Sequence, residues 1–402
     1  MASEEQLRVV NHPANSHGRV LAGPGTGKST TVLQLAAKFQ SEGTGVRAIT
    51  FTRAATGELA KKIKDEGHII VEPVTVHGFA LSLLMRNPGT TPLPEPLRIP
   101  DAWETDLIHG DIAARLRRDG FAKVRVSHVR KLEREMASAW ESLDPNETLI
   151  ADVDPELRNR YLSTWNGHRK VFGYSLFAEM PLYAKNLIED KTDAKIGTLE
   201  MLIVDEFQDL NKCEIALMRA LAGRGIKIVA VGDDDQSIYS FRMAHPVGIL
   251  EFATHFAPSA DYALSISFRC ALEILTAAKA LIEAAPGRPH RPALRESPAQ
   301  PRGVFEYLRF EDQDDERAGI ARLVAHLISA QGLKASDICI LMRGDTKQAW
   351  SKPLRKALAT YGVPATDVEA ALKPLQTPQA RRVLAIARLA ESLADDLASE
   401  LR

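Results

Sequence analysis

Cysteine is scarce: three in 402 residues, at Cys213, Cys270 and Cys339. So few, so far apart, exclude a zinc cluster and a disulfide framework, and they read as reduced core thiols of a cytoplasmic protein. No apolar run approaches the length of a membrane span, and the polar start M-A-S-E-E-Q has no secretory character, so membrane spanning and export are not expected. Aromatic residues are only 6% of the chain, and formal charge is −1. Whole-chain electrostatics therefore advertises no polyanion partner, and any such surface must come from local clustering. What is present is a globular composition, 45% hydrophobic and 26% charged, long enough for two or three domains.

The most informative segments are A-G-P-G-T-G-K-S at 22–29 and M-L-I-V-D-E-F-Q-D at 201–209. Arg19–Ala22 reads as a strand, and Ser29–Phe39 as a helix with Val32, Leu35, Ala36 and Phe39 at helical spacing. A glycine turn between strand and helix is the order a phosphate-binding loop requires. Gly23, Gly25 and Gly27 tolerate the backbone angles that turn N–H groups inward. Lys28 can reach β- and γ-phosphates, and Ser29 can hold Mg²⁺. The strict pattern begins with glycine where this chain has Ala22, a small side chain in its place. In the second segment an apolar strand delivers Asp205 and Glu206 together. With a phosphate loop, they read as the Mg²⁺-side acid and the group that orients or deprotonates water. ATP and Mg²⁺ are thus the expected ligands. Arg269, after S-I-S-F, is the candidate for stabilising charge at the γ-phosphate, reaching across a cleft between lobes.

Further strands are expected at Val46–Phe51, Lys227–Gly232, Tyr262–Ser267, Val304–Leu308 and Ile338–Met342. Thr52 can cap the helix after Val46–Phe51. Residues 97–178 read as mostly helical, with Trp103, Trp140 and Trp165 as core anchors. Beyond the Pro-rich connector at 286–303, helices are expected around Ala318–Ile328, at Pro353–Thr360 and near the C-terminus. Basic residues Arg115, Arg117, Arg118, Lys123, Arg125, Arg130, Lys131 and Arg134 can track a phosphate backbone or form a solvated helix face, and both readings stay open.

Several segments in order resemble the motifs of UvrD/PcrA/Rep-type superfamily 1 DNA helicases. Glu5-Gln6 is similar to the Gln motif, A-G-P-G-T-G-K-S to motif I, and I-T-F-T-R-A-A-T-G-E-L-A-K-K-I (49–63) to motif Ia. V-T-V-H-G-F-A (74–80) resembles motif Ib, and V-D-E-F-Q-D (204–209) motif II. V-G-D-D-D-Q-S-I-Y-S-F-R-M-A (231–244) resembles motif III, and L-S-I-S-F-R-C (264–270) motif IV. The pair D-E-F-Q-D and G-D-D-D-Q-S-I-Y is the specific part, and it speaks against a kinase or small-molecule ATPase.

The resemblance implies an α/β P-loop NTPase. A RecA-like parallel-sheet lobe over 1–90 and 179–261 would carry a helical insertion at 91–178, with a partial second RecA-like lobe at 262–402. It implies an ATP- and Mg²⁺-dependent 3′→5′ translocase on single-stranded DNA or a single-strand/duplex junction. Gln6 would read the adenine edge and Phe268 stack on its face. Ala22, Gly23, Gly25, Thr26, Gly27, Lys28, Ser29 and Thr30 would cradle the phosphates. Gln236 would sense the γ-phosphate, and Arg269 would be an arginine finger. Phe51, Thr52, Arg53, His77, Tyr239, Phe241 and Arg242 would lie along DNA, where aromatic stacking tolerates every base. The family's motifs V and VI, of the form T-x-H-x-A-K-G-L-E and V-A-x-T-R-A, are not found, so the second lobe is expected to be incomplete. A fragment of a longer helicase, a short protein whose partner supplies the missing parts or a nuclease, and a degenerate ATPase serving as a binding module of a repair or phage-defence complex all remain open.

Overall fold

The computed structural model describes residues 2–50, 56–57, 60–61, 63–64, 73–143, 154–237, 247–284, 294–298, 302–342, 344–345 and 348–366. The chain forms two compact units, Met1–Phe305 and Glu306–Arg402.

In the first unit a short helix, α1 (Glu4–Val10), precedes β1 (His17–Ala22), α2 (Lys28–Ser41), β2 (Val46–Thr50), β3 (Val74–Thr75) and α3 (Val76–Met85). Three long helices follow: α4 (Ala102–Arg118), α5 (Val126–Ser142) and α6 (Pro155–Phe172). The chain then returns through α7 (Met180–Asp190), β4 (Met201–Val204), α8 (Lys212–Gly223), β5 (Lys227–Gly232), two single-turn helices (α9, Val247–Leu250; α10, Phe252–His255) and β6 (Ser259–Leu264). The six strands make one sheet in the order β3-β2-β4-β5-β1-β6, parallel throughout. The expected mixed α/β architecture is borne out.

Strand β4 explains why the sheet is covered on both faces. All four residues of Met-Leu-Ile-Val are buried, and successive side chains point to opposite faces. Leu202 and Val204 join Phe79, Leu83, Leu187 and Leu217 beneath helices α3, α7 and α8. Met201 and Ile203 join Val9, Val32, Leu35 and Phe39 beneath α1 and α2. Because the strands run parallel, β1, β4, β5 and β6 end on the same edge, at Ala22, Val204, Gly232 and Leu264. Loops leaving that edge converge, as ligand-binding loops of open parallel sheets do.

The insertion has its own core of Ile112, Leu116, Val129, Leu132, Tyr161, Trp165 and Tyr174. Trp165 is the anchor expected and Trp140 packs at the edge of this core, but Trp103 is 52% exposed. It sits in the first turn of α4, where the Asp101 cap orients the backbone and the side chain faces out. The thiols also divide: Cys213 is buried, whereas Cys270 is half-buried and Cys339 exposed, so only the first is a core thiol. Many of the insertion's basic residues are paired locally, including Arg115 and Arg160 with Asp119, and Arg130 with Asp106.

The strand expected at Tyr262–Ser267 is two pieces: β6, and a short β7 (Ile266–Ser267) that pairs with β8 (Arg295–Glu296). Helix α11 (Leu272–Glu283) lies between β7 and β8 in the chain. In the second unit α12 (Gln313–Gln331) packs on α13 (Ser351–Ala359) through Ala321, Val324, Leu354 and Leu358, with Ile338 and Ile340 against them. The strands expected at Val304–Leu308 and Ile338–Met342 do not form. Local β propensity makes an extended segment, but a strand needs a neighbouring edge to exchange hydrogen bonds with. Tyr307 and Leu341 remain 86% and 89% exposed. The helix expected near the C-terminus lies outside the described residues. Among the described residues, no helix is long and apolar enough to cross a membrane.

Candidate active site

Strand β1 stops at buried Ala22, and α2 starts at Lys28. Between them Gly25 and Gly27 take φ of +72° and +83°, which side-chain-bearing residues rarely adopt. Gly27 is the helix N-cap and no side chain caps the helix, so the first amides of α2 are left for an anion. The loop is braced from within, because Thr26 Oγ1 donates to Gly23 O at 2.9 Å. Ser29 and Thr30 follow in the first turn, half-buried.

Lys28 Nζ stands 3.0 and 3.2 Å from the two carboxylate oxygens of Glu206, which is 178 residues further along the chain. The sheet makes the meeting, because β1 and β4 both flank β5 and end on the same edge. Asp205 is 7% exposed, and its Oδ1 accepts from the Glu206 amide at 3.0 Å. Glu206 has φ +53°, an uncommon conformation for a residue with a side chain and one concentrated at functional sites. Gln208 Nε2 donates to Glu206 Oε2 at 2.8 Å, and the Asp233 amide donates to Gln208 Oε1 at 3.0 Å. Gln236 Nε2 then donates to Asp233 Oδ2 at 2.7 Å. Gln236 lines a cleft of about 620 Å³ with Ala22, Gly23 and Pro24. Gln208 carries no role by residue type alone, and its place two residues beyond Glu206 in D-E-F-Q-D is the only signal of it in the sequence.

The motif at 264–270 is bound to the loop by one backbone and one side-chain hydrogen bond. The Phe268 amide donates to Gly25 O at 2.8 Å, and Ser267 Oγ donates to Pro24 O at 3.0 Å. Arg269 lies in the same compact unit as the loop, its β-carbon 2.5 Å from where a Cβ on Gly25 would stand. Phe268 and Arg269 both expose their side chains beside the cradle. Gln6 also contacts the loop. Its Nε2 donates to Thr26 O at 3.1 Å while its Oε1 accepts from the Ser3 amide at 2.8 Å.

Neighbouring Glu5 ties α1 to the same motif, accepting from Ser265 N at 2.7 Å, Ser265 Oγ at 2.6 Å and Arg295 Nη2 at 3.2 Å. Burial alone would raise this carboxyl, but the Ser265 hydrogen bonds and the Arg295 charge outweigh it and hold it below its ordinary 4.5. A depressed folded pKa stabilises above the unfolded value and is lost as pH falls through the folded one. Glu5→Gln should therefore flatten the acid limb of a melting-temperature profile below about pH 4.5. An unchanged limb would show that the contact contributes nothing to that dependence.

His77 lies elsewhere, its ring 3.3 Å from Glu214 Oε1 and stacked on Phe177 at 4.9 Å. Phe51, Thr52, Arg53, Tyr239, Phe241 and Arg242 lie outside the described residues. Among the described residues, no group of three or more His, Cys, Asp or Glu side chains is placed to hold a metal. Ser29 and Asp205 offer oxygen donors of the kind Mg²⁺ takes alongside water and phosphate.

Comparison with known proteins finds relatives among DNA helicases. DNA helicase II of Escherichia coli (strain K12) is 27% identical over 417 aligned residues, covering 99% of this chain and 55% of its own length. The ATP-dependent DNA helicase UvrD2 of Mycobacterium tuberculosis (strain ATCC 25618 / H37Rv) is 28% identical over 377, covering 86% of this chain and 52% of its own length. The ATP-dependent DNA helicase Rep of Buchnera aphidicola subsp. Acyrthosiphon pisum is 25% identical over 362, covering 86% and 54%. The chain thus spans about half the length of the curated relatives it matches. The family profile described as UvrD/REP helicase N-terminal domain matches residues 2–257, well over half the chain. A glycine cradle facing an Asp-Glu pair, with a Gln-bearing loop beside it, is what that profile spans here, and the chain belongs to the UvrD/REP helicase family.

Proposed function

We propose that this chain hydrolyses ATP with Mg²⁺ to drive 3′→5′ movement on single-stranded DNA. One observation supports this above the others: the Lys28 ammonium and the Glu206 carboxylate meet at 3.0 Å beside a loop that turns through glycines of positive φ at 25 and 27. In this reading the first RecA-like lobe is 1–90 and 179–261, the insertion 91–178, and 262–402 a partial second lobe.

The loop amides and Lys28 would hold the triphosphate, Gln6 the adenine edge, and Phe268 its face. Ser29 and Asp205 would hold Mg²⁺. Bound MgATP supplies an electrophilic γ-phosphorus and a stable leaving group. Glu206 then orients water and takes its proton, and Lys28 and Arg269 face the charge that builds on the phosphoryl oxygens. Phosphate would compete with Glu206 for the Lys28 ammonium and loosen its hold on that carboxylate, leaving it freer to take a proton from water. Gln236 would report the state of the site to the segment carrying Tyr239, Phe241 and Arg242, which with Phe51, Thr52, Arg53 and His77 would contact DNA. Base stacking on aromatics there would contribute about 1–3 kcal/mol per base.

ATP turnover with and without single-stranded DNA tests the reading. The expected result is DNA-stimulated turnover in wild type and near-complete loss in Glu206→Gln, with ATP still bound. Absence of nucleotide binding in wild type would sink it. A second reading is a partner-dependent ATP- and DNA-binding subunit of a repair or phage-defence complex. The exposure of Tyr307 and Leu341, 86% and 89%, favours it, since bare hydrophobic surface is a place for another polypeptide to pack. Turnover and DNA binding without unwinding by the isolated chain would select it.

A further inference from the structure

We propose that Gln208 is a positioning residue. It would hold the Glu206 carboxylate in place for hydrolysis and tie it to the Asp233–Gln236 segment. The inference rests on the reading of Glu206 as the group that activates water.

Gln208 is 1% exposed, and both ends of its amide are engaged. Nε2 donates to Glu206 Oε2 at 2.8 Å, and Oε1 accepts from the Asp233 amide at 3.0 Å. Asp233 in turn takes Gln236 Nε2 at 2.7 Å and the Asp235 amide at 3.2 Å on its two carboxylate oxygens. One planar amide thus joins the end of β4 to the end of β5. Its approach depends on a missing side chain: a Cβ on Gly232 would stand 2.2 Å from Gln208 Oε1. Glycine at the last position of β5 is what lets the amide sit there.

Glu206 has two neighbours in this network, and they are not equivalent. The Lys28 ammonium is the stronger, a charge-assisted contact at 3.0 Å. It is also the one that a bound phosphate competes for. Once Lys28 turns to phosphate, the Gln208 hydrogen bond is what still fixes a carboxylate carried on a strained backbone. Gln208 should then matter little for binding ATP and much for the step that follows. The same amide makes the Glu206 position dependent on Asp233, and through it on the segment that carries Gln236.

Glutamine has no close substitute here. Methionine keeps the length and shape but neither hydrogen bond. Glutamate keeps an acceptor for Asp233 but sets a second carboxylate against Glu206. Gln208→Met should lower kcat for ATP about tenfold or more, the scale seen when residues supporting a reacting group are removed. KM for ATP should stay within about twofold and the melting temperature within a few degrees, since the expected loss is of geometry rather than of binding. Stimulation of turnover by single-stranded DNA should fall towards none. Gly232→Ala should reproduce the kcat effect by displacing the amide, and Gln208→Glu should be more damaging than Gln208→Met.

Wild-type kcat and DNA stimulation in Gln208→Met would overturn the inference. So would a loss that appears equally in KM and melting temperature, which marks a merely structural glutamine. If wild type hydrolyses no ATP, the readout is the gain in single-stranded DNA affinity on adding a non-hydrolysable ATP analogue. Loss of that gain in Gln208→Met supports the inference, and its survival overturns it. A wild-type protein with neither turnover nor that linkage overturns both this inference and the functional reading.

Discussion

Lys28→Ala should abolish ATP turnover, with a fall of about a thousandfold, while the protein stays folded. Two effects of unequal size decide this. Removing a preorganised cation or donor from a site of developing charge costs about 10²–10³ in kcat, or about 3–4 kcal/mol of transition-state stabilisation. The loss of the ion pair itself is small. Glu206 keeps 31% of its side chain in solvent, and a pair that wet contributes only about 0–1 kcal/mol to folding. Glu206 also keeps its hydrogen bond from Gln208. Turnover should therefore collapse while the melting temperature moves by no more than a few degrees. Steady-state ATPase assays beside a thermal melt check both halves. Normal hydrolysis by Lys28→Ala would remove the phosphate cradle from its assigned place.

The second large effect is on stability, and it sits where the insertion returns to the sheet. Arg169 of α6 and Glu179, just before α7, form an ion pair at 2.7 Å with side chains only 8% and 0% exposed. The guanidinium also lies 4.6 Å from the ring centre of Trp165, and Glu179 Oε2 accepts from the Leu176 amide at 2.7 Å. Breaking a buried pair by deleting one partner strands the other, at about 3–5 kcal/mol. Arg169→Ala should lower the melting temperature by roughly 5 °C for a chain of this size. Burial raises the Glu179 carboxyl above its ordinary 4.5, and Arg169 is the main force opposing that rise. Without Arg169 the folded state would hold a proton that the unfolded chain releases. The penalty should accordingly grow as pH rises from about 4.5 towards neutrality. Arg169→Met combined with Glu179→Gln should recover most of the loss, because no charge is left stranded. A single variant as stable as wild type at neutral pH would show that the pair is solvated after all.

Much of the site is local in character and can be read along the chain. Glycines at 25 and 27 before Lys-Ser report a turn needing positive φ ahead of a helix, and the structure has that turn at +72° and +83°. Four apolar residues before Asp205 report a strand buried on both faces, and each of them is buried. These signals are legible because they depend on backbone sterics and on side-chain period, which neighbouring residues set among themselves. The same logic fails where the outcome depends on a distant edge. Val304–Leu308 and Ile338–Met342 have strand composition and form no strand, since pairing needs a second segment beside them. Trp103 has the bulk of a core residue but lies on the outer face of its helix.

By itself, then, the sequence determined which residues could cradle phosphate, which could end a strand in acids, and that a parallel α/β sheet would carry them. Only the tertiary structure decided which of them meet. It set Lys28 against Glu206 across 178 residues, seated the Phe268 amide on the carbonyl of Gly25, and joined Gln208 to Asp233 through the gap left by Gly232. The reason is that strand order in a parallel sheet is fixed by helix packing on both faces, and contacts between loop ends follow from that order rather than from any residue's neighbours in the chain.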